Sequence, residues 1–173
     1  MKIIAVGSNG SKAGKSVACN LLMEMLGKRK WHYLSTSDVL IDMLSDKLGL
    51  SADYIRANKE VYRERLVKLG EEDPLRAMYK CFSLWDEKKN MLVESVRRRE
   101  EYELLKGYSA TFIYVYAKEE TRKKRGAGDI DVNEAPECLI VQGEPVKNVF
   151  MVNNDGTYSS LKIRLGQILQ HIS

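Results

Sequence analysis

The chain has 173 residues, 44% of them apolar and 30% charged, with a formal net charge of +4. These figures exclude a mainly disordered chain and describe one domain long enough to bury a core without disulfides or a structural metal. No apolar run approaches the ~18 residues of a membrane span, and the small net charge admits an anionic ligand without demanding a polyanion.

The first expected element is a buried strand over residues 2–6, a β-branched run closed by Gly7. A helix follows a polar loop, over residues 15–28, with Val17, Ala18, Leu21, Leu22, Met25 and Leu26 as one apolar stripe and Gly27 near its stop. A second strand covers 31–35, and Ser37 or Asp38 can cap the next helix, which carries Leu40, Ile41 and Leu44. One long helix is expected over 52–69, ended by Gly70, and Asp73-Pro74 opens another to about Trp85. Residues 90–96 form a third strand, 99–106 a helix stopped by Gly107, and 110–117 an aromatic and β-branched fourth strand. A charged helix over 119–125 leads into Gly126-Ala127-Gly128 and an acidic stretch to Glu137 that reads as a mobile loop. The fifth strand, 149–152, is closed by Asn153-Asn154-Asp155-Gly156, and Thr157 caps a final helix carrying Leu161, Ile163, Leu165, Ile168 and Leu169. Strands alternate with helices throughout, so the expected fold class is α/β: a five-stranded parallel sheet with helices on both faces. The all-helical stretch 38–85 exceeds a minimal crossover and is expected to be an inserted helical subdomain.

Cys19, Cys81 and Cys138 are widely spaced with no C-x-x-C pair and read as free thiols. With His32 and His171 as the only histidines, a zinc site is not expected. Met1 leads directly into the first strand, so no secretory signal and a cytoplasmic location are the expectation. Tyr114 and Tyr116 alternate with apolar residues and are expected to pack, and Trp31 and Trp85 read as core or interface residues.

The segment richest in chemistry is Gly7-Ser8-Asn9-Gly10-Ser11-Lys12-Ala13-Gly14-Lys15-Ser16, between the first strand and the first helix. In a phosphate-binding loop, backbone N–H groups and a helix N-terminus surround the phosphates, a lysine reaches the β and γ oxygens, and a hydroxyl ligates Mg²⁺. The usual pattern is G-x-x-x-x-G-K-[ST]; its first glycine position is Asn9 here, the non-glycine type that best tolerates positive φ, with Gly10 following. Asn9, Gly10, Ser11, Lys12, Ala13, Gly14, Lys15, Ser16 and Val17 are therefore the expected donor-nucleotide contacts, for ATP with Mg²⁺.

With these residues in view, the chain resembles the P-loop nucleoside and nucleotide kinases. It is most like the bacteriophage-type deoxynucleoside monophosphate kinases, with the dephospho-coenzyme A kinases close behind. Arg65-Leu-Val-Lys-Leu-Gly70 with Arg76 resembles that family's helical R-x-x-L-x-x-L-G segment and later arginine, and Val93-Glu-Ser-Val-Arg97 through Glu101 resembles its strand-end D-V-R-x-x-x-E. Val115-Tyr-Ala through Arg122 and Arg125 is similar to its strand and lid arginine pair, and Asn153-Asn-Asp-Gly-Thr157 to its last loop. Ser95 stands where the family motif has aspartate, with Glu94 one residue earlier, on the opposite face of a regular strand.

The resemblance implies one kinase domain with core 1–37, 86–117 and 146–173, an acceptor-binding helical insert 38–85 and a short lid 118–145. It implies transfer of the γ-phosphoryl of ATP to a small phosphorylated acceptor, a (deoxy)nucleoside monophosphate. Lys15, Arg97, Arg122, Arg125 and Asp38 are the expected catalytic set, and Asp38, Arg56, Arg65, Arg76, Arg97 and Glu101 the expected acceptor contacts. Ser16 and Glu94 are the expected metal-side pair. Asp38 reads equally as a helix cap, and Glu101 equally as a partner of Arg97 or as a charge at a helix N-terminus. Arg98 and Arg99 are expected at the surface. No membrane and no nucleic-acid partner is expected, and the chain is expected as a monomer or homodimer. The rival readings are a dephospho-coenzyme A-type kinase, a nucleotide switch without an acceptor pocket, and a binding module without turnover.

Overall fold

The computed structural model describes residues 1–126, 140–141, 144–145 and 148–172. The elements run β1 (Ile3–Ser8), α1 (Lys15–Leu26), β2 (Trp31–Ser35), α2 (Thr36–Leu48), α3 (Ala52–Ala57), α4 (Arg63–Glu72), α5 (Arg76–Leu84) and β3 (Asn90–Glu94). They continue through α6 (Arg99–Gly107), β4 (Thr111–Tyr116), α7 (Glu119–Lys124), β5 (Ile140–Val141), β6 (Glu144–Pro145), β7 (Val149–Asn153) and α8 (Tyr158–Ile172). Five strands form one parallel sheet in the order β2-β3-β1-β4-β7, and β5 and β6 pair as a short antiparallel ribbon.

Strand side chains alternate faces, and this sheet buries both. Ile3, Ala5, Met91, Val93, Phe112 and Tyr114 pack with residues of α2, α5 and α6 on one face. Ile4, Val6, Leu92, Ile113 and Val115 pack against Ala18, Leu21 and Leu22 of α1 and Leu161 and Leu165 of α8 on the other. The insert has its own small core of Ile41, Leu44, Ile55, Leu66 and Leu69. None of the described helices is long and apolar enough to cross a membrane.

The expected fold class is the observed one. The sequence reading departs from the structure at helix ends. The expected helix over 52–69 is broken after Ala57 and resumes at Arg63. Asn58 both donates its backbone N–H to Tyr54 O and folds its side-chain amide onto the same oxygen (3.1 and 2.9 Å), the local competition that makes Asn a helix terminator. Gly70 does not stop α4, which runs on to Glu72; the stop comes at Asp73, extended at φ −153° and followed by Pro74. Ser35, not Ser37 or Asp38, caps α2: its hydroxyl accepts from Asp38 N–H at 3.2 Å. Gly27 and Thr157 do act at helix ends as expected.

Cys19 and Cys81 are buried, free thiols. His32 accepts from Asp86 N–H at 2.9 Å, an ordinary strand-end contact. The expected mobile loop, Cys138 and most of the expected lid lie outside the described residues.

Candidate active site

The loop of residues 9–14 joins β1 to α1 at the carboxyl edge of the sheet, where ligands bind in open α/β folds. Gly10 (φ 150°), Lys12 (φ 60°) and Gly14 (φ 97°) supply the positive-φ backbone of the turn. Asn9 does not take a positive φ, so its tolerance of that region is not what preserves the loop. Its side-chain amide instead mimics a peptide, donating to Ala117 O at 2.9 Å and accepting from Ala117 N–H at 3.1 Å. That pair fastens the loop to the end of β4. A second fastening comes from Asn154, whose amide donates to Ala13 O at 2.8 Å and leaves only 2.0 Å for a Cβ on Gly14.

Glu94 lies on the α1 face of the sheet, beneath Ser16, and its Oε1 accepts from Ser16 Oγ at 2.7 Å. On a flat strand Ser95 would then face away from the loop. β3 bulges instead: Ser95 has φ 71°, and Ser95 N–H and Val96 N–H both donate to Val6 O, at 3.1 and 3.3 Å. Both neighbouring side chains therefore reach the loop, and Lys15 Nζ donates to Ser95 Oγ at 2.9 Å. Burial, and then the nearby Arg97 guanidinium, bring the Lys15 ammonium down to about 8, while Glu94 opposes them. Among the described residues no three His, Cys, Asp or Glu side chains gather as a metal site. Ser16 and Glu94 do fit a divalent cation that a nucleotide's own phosphates complete, the usual arrangement for Mg²⁺.

The loop faces a cleft of ≈ 640 Å³ whose opposite side comes from the insert and from the turn after β3. Lys59, Arg63, Arg97 and Arg98 line it beside Lys12 and Lys15, with Leu40, Leu66 and Val67 as an aliphatic wall. Buried Glu101 accepts from Arg97 N–H (2.7 Å) and Arg98 N–H (3.0 Å), so it positions the two arginines through their backbone. Burial raises its carboxyl above the ordinary range, and those two backbone bonds oppose the rise. A smaller polar hollow adjoins Ser16 and Glu94 and is lined by Tyr33, Asp38, Lys59 and Arg97. Lys59 Nζ donates to Ser37 Oγ at 2.8 Å; burial, and then Arg97, lower its ammonium from the usual lysine range.

Of the expected donor contacts, Gly10 through Val17 line the cleft, and Asn9 anchors the loop from behind. Val17 leaves the apolar stripe and is 42% exposed at the cleft. Arg97 and Glu101 also line the cleft, and Asp38 the hollow. Arg56 reaches the hollow's edge only through Asp38, at 3.6 Å, and pairs with Asp53 at 2.6 Å. Arg65 and Arg76 are not brought in: Arg65 lies over the Tyr62 ring and Arg76 pairs with Asp73 at 3.2 Å. The helix break explains the exchange. Restarting at residue 63 puts Arg63, Leu66, Val67 and Glu71 on the cleft face of α4, an i, i+3, i+4, i+8 stripe, and leaves Arg65 outside it. That stripe points to Arg63 only once the break is known. No comparable signal marks Lys59, which sits in the turn, or Arg98, which was expected at the surface. Arg125 does not line the cleft either; its guanidinium donates to Asn154 O at 2.8 Å, on the outer side of the loop. Arg122, one helical turn earlier, is half-buried on α7.

No protein-family model and no curated protein matches the chain. Solved structures do resemble it. A putative kinase from Chloroflexus aurantiacus is 16% identical, with a TM-score of 0.56, over 99% of this chain and 98% of that one. The protein TT1252 from Thermus thermophilus is 17% identical, with a TM-score of 0.54, over 99% and 98%. Shikimate kinase from Acinetobacter baumannii, solved with shikimate, is 16% identical, with a TM-score of 0.54, over 99% and 92%. At these identities the likeness is one of architecture. The phosphate loop at the switch of a five-stranded parallel sheet and these neighbours agree: the chain has the P-loop kinase fold.

Proposed function

We propose that the chain transfers the γ-phosphoryl group of ATP to a small phosphorylated acceptor, a (deoxy)nucleoside monophosphate, giving the diphosphate and ADP. The observation that carries this is the cleft itself: the phosphate loop on one side faces Lys59, Arg63, Arg97 and Arg98 on the other. Two anions held across one cleft is what phosphoryl transfer requires of a protein, since the reaction depends on alignment and charge stabilisation rather than covalent help. In this reading the loop amides and Lys15 hold the donor's phosphates. Arg97, with its backbone fixed by Glu101, holds the acceptor's phosphate, and Arg63 and Lys59 screen the charge between them. Leu40, Leu66 and Val67 take the acceptor's apolar part. Arg125 braces the loop through Asn154 O and Lys12 O rather than meeting the donor.

Ser16 and Glu94 would hold Mg²⁺, which when bound neutralises charge on the β and γ oxygens. A phosphate acceptor is already an anion at neutral pH and needs no strong base. Asp38 favours a second reading, because it lies in the hollow beside Ser16 and Glu94 where an acceptor hydroxyl would need its proton taken. A hydroxyl acceptor of the dephospho-coenzyme A type would then be the substrate.

ATP consumption with Mg²⁺, screened across ribo- and deoxynucleoside monophosphates and dephospho-coenzyme A, tests both. Stimulation by a monophosphate, with Asp38→Asn nearly as active as wild type, supports the first reading. Stimulation by a hydroxyl acceptor, lost in Asp38→Asn, supports the second. If no acceptor raises ATP use above background, the kinase reading fails.

A further inference from the structure

Glu94 has two carboxylate oxygens and a different side chain on each. Oε1 meets Ser16 Oγ, and Oε2 accepts the phenolic hydrogen of Tyr33 in a very short contact. Tyr33 comes from β2, the neighbouring strand, where it stands opposite Leu92, two residues before Glu94. Its phenol therefore runs along the sheet toward the phosphate loop and ends in the polar hollow that Ser16 and Glu94 also line. Glu94 is 4% exposed, so little water is available to satisfy its second oxygen. The site also has a particular need for such a support. A glutamate has one more rotatable bond than an aspartate, and here it projects from the last strand residue before a bulge at Ser95. Without the phenol, the carboxylate would keep only Ser16 and the weak thiol donor of buried Cys19, and several orientations would be available to it. With Tyr33 on Oε2, Oε1 has one, facing Ser16.

We propose that Tyr33 is a positioning residue for the metal-side carboxylate, its hydroxyl fixing Glu94 so that Oε1 stays where a nucleotide-bound divalent cation is held. This rests on the assignment of Ser16 and Glu94 to the metal. Tyr33 acts through Glu94, as hydrogen-bond partners of ligating carboxylates do elsewhere.

The test uses the full chain and reads binding, not turnover. ADP affinity is measured by calorimetry in EDTA and in saturating Mg²⁺, and Mn²⁺ binding to the protein–ADP complex by electron paramagnetic resonance. Tyr33→Phe is expected to weaken Mn²⁺ binding about tenfold while leaving the affinity for ADP in EDTA unchanged. Glu94→Gln is expected to weaken it at least as much, and the double variant no further than Glu94→Gln alone. Equal losses of ADP affinity with and without metal in Tyr33→Phe would make Tyr33 merely structural and overturn the proposal. Unchanged Mn²⁺ binding in Tyr33→Phe alongside a loss in Glu94→Gln overturns the proposal but leaves the metal-side pair standing. Unchanged binding in both variants overturns the proposal together with the assignment of Glu94.

Discussion

On the proposed donor side of the cleft, residues 9–14 and the first turn of α1 offer anion-binding groups from one continuous stretch, much of it backbone. On the proposed acceptor side, Lys59 and Arg63 come from the insert and Arg97 and Arg98 from the turn after β3, and would act through their side chains. The donor side is fastened to the central sheet through the pairing of Asn9 with Ala117 at the end of β4 and through Asn154 after β7. The acceptor side leans on a separate small core of five buried residues. A backbone-built site tolerates change in its side chains but not in its φ angles. A side-chain site tolerates backbone adjustment but not the loss of a charge. The comparison predicts opposite responses to substitution on the two sides.

The largest effect is expected at Lys15, a buried charged side chain on the donor side whose ammonium bonds Ser95 Oγ. Lys15→Met should lower turnover by about 10²–10³-fold, the cost of losing one preorganised charge at the transition state. It should also raise the melting temperature. The folded ammonium is held down to about 8, against 10.5 for an unperturbed lysine, chiefly by burial. Between those values the unfolded chain holds the extra proton, so wild-type stability gains from rising pH there, and the burial cost is fully present below about 8. The thermal advantage of Lys15→Met should thus be clear at pH 7 and shrink above pH 8 to 10. Over the same range wild-type nucleotide affinity should fall, as the ammonium is lost. A lower melting temperature for Lys15→Met at neutral pH would break this account.

On the acceptor side, Arg97→Ala should lower kcat/KM for the acceptor by about 10²-fold while the KM for ATP stays near its wild-type value. Arg63→Ala should cost about tenfold, the scale of one hydrogen bond to a charged group. Arg65→Ala should change neither, because Arg65 lies over Tyr62 outside the cleft. Steady-state kinetics with both substrates varied separates the three. Equal losses in Arg63→Ala and Arg65→Ala would mean that the cleft face of α4 is not the acceptor wall.

The same contrast explains how much was legible in the sequence. The α/β alternation, the five strands and the loop ending in Gly14-Lys15-Ser16 depend on local pattern, and all appear where expected. Arg97 was legible because it follows a strand directly. Arg63 and Arg65 could not be ranked until the helix break at Asn58 was known, since a shift of phase moves one in and the other out. Glu94 shows the opposite limit. Regular alternation forbids Glu94 and Ser95 from reaching the same loop, and only the bulge, a tertiary event at Val6 O, allows it. Tyr33 carried no signal, because its partner lies on another strand.

The smallest effects sharpen the comparison through two glycines, one on each side. Gly14 sits at φ 97° with Asn154 Nδ2 only 2.0 Å from where a Cβ would stand, so Gly14→Ala meets both backbone strain and a fixed amide. It should lower the melting temperature by roughly 5–10 °C, the equivalent of about 1–3 kcal/mol in a chain of this size, and weaken nucleotide binding with it. Gly70 lies inside α4, and its Cβ would come 3.3 Å from Arg98 Nη2, the far end of a flexible side chain. Here alanine removes the entropic penalty of a helical glycine, about 0.5–1 kcal/mol, and displaces only a guanidinium. Gly70→Ala should therefore raise the melting temperature by about 2–3 °C and raise the KM for the acceptor a few-fold through Arg98, with nucleotide affinity unchanged. The opposite signs follow from what each glycine faces: a closely hydrogen-bonded amide that closes the loop, or the far end of a flexible side chain whose hydrogen bond to Val67 O is long, at 3.4 Å.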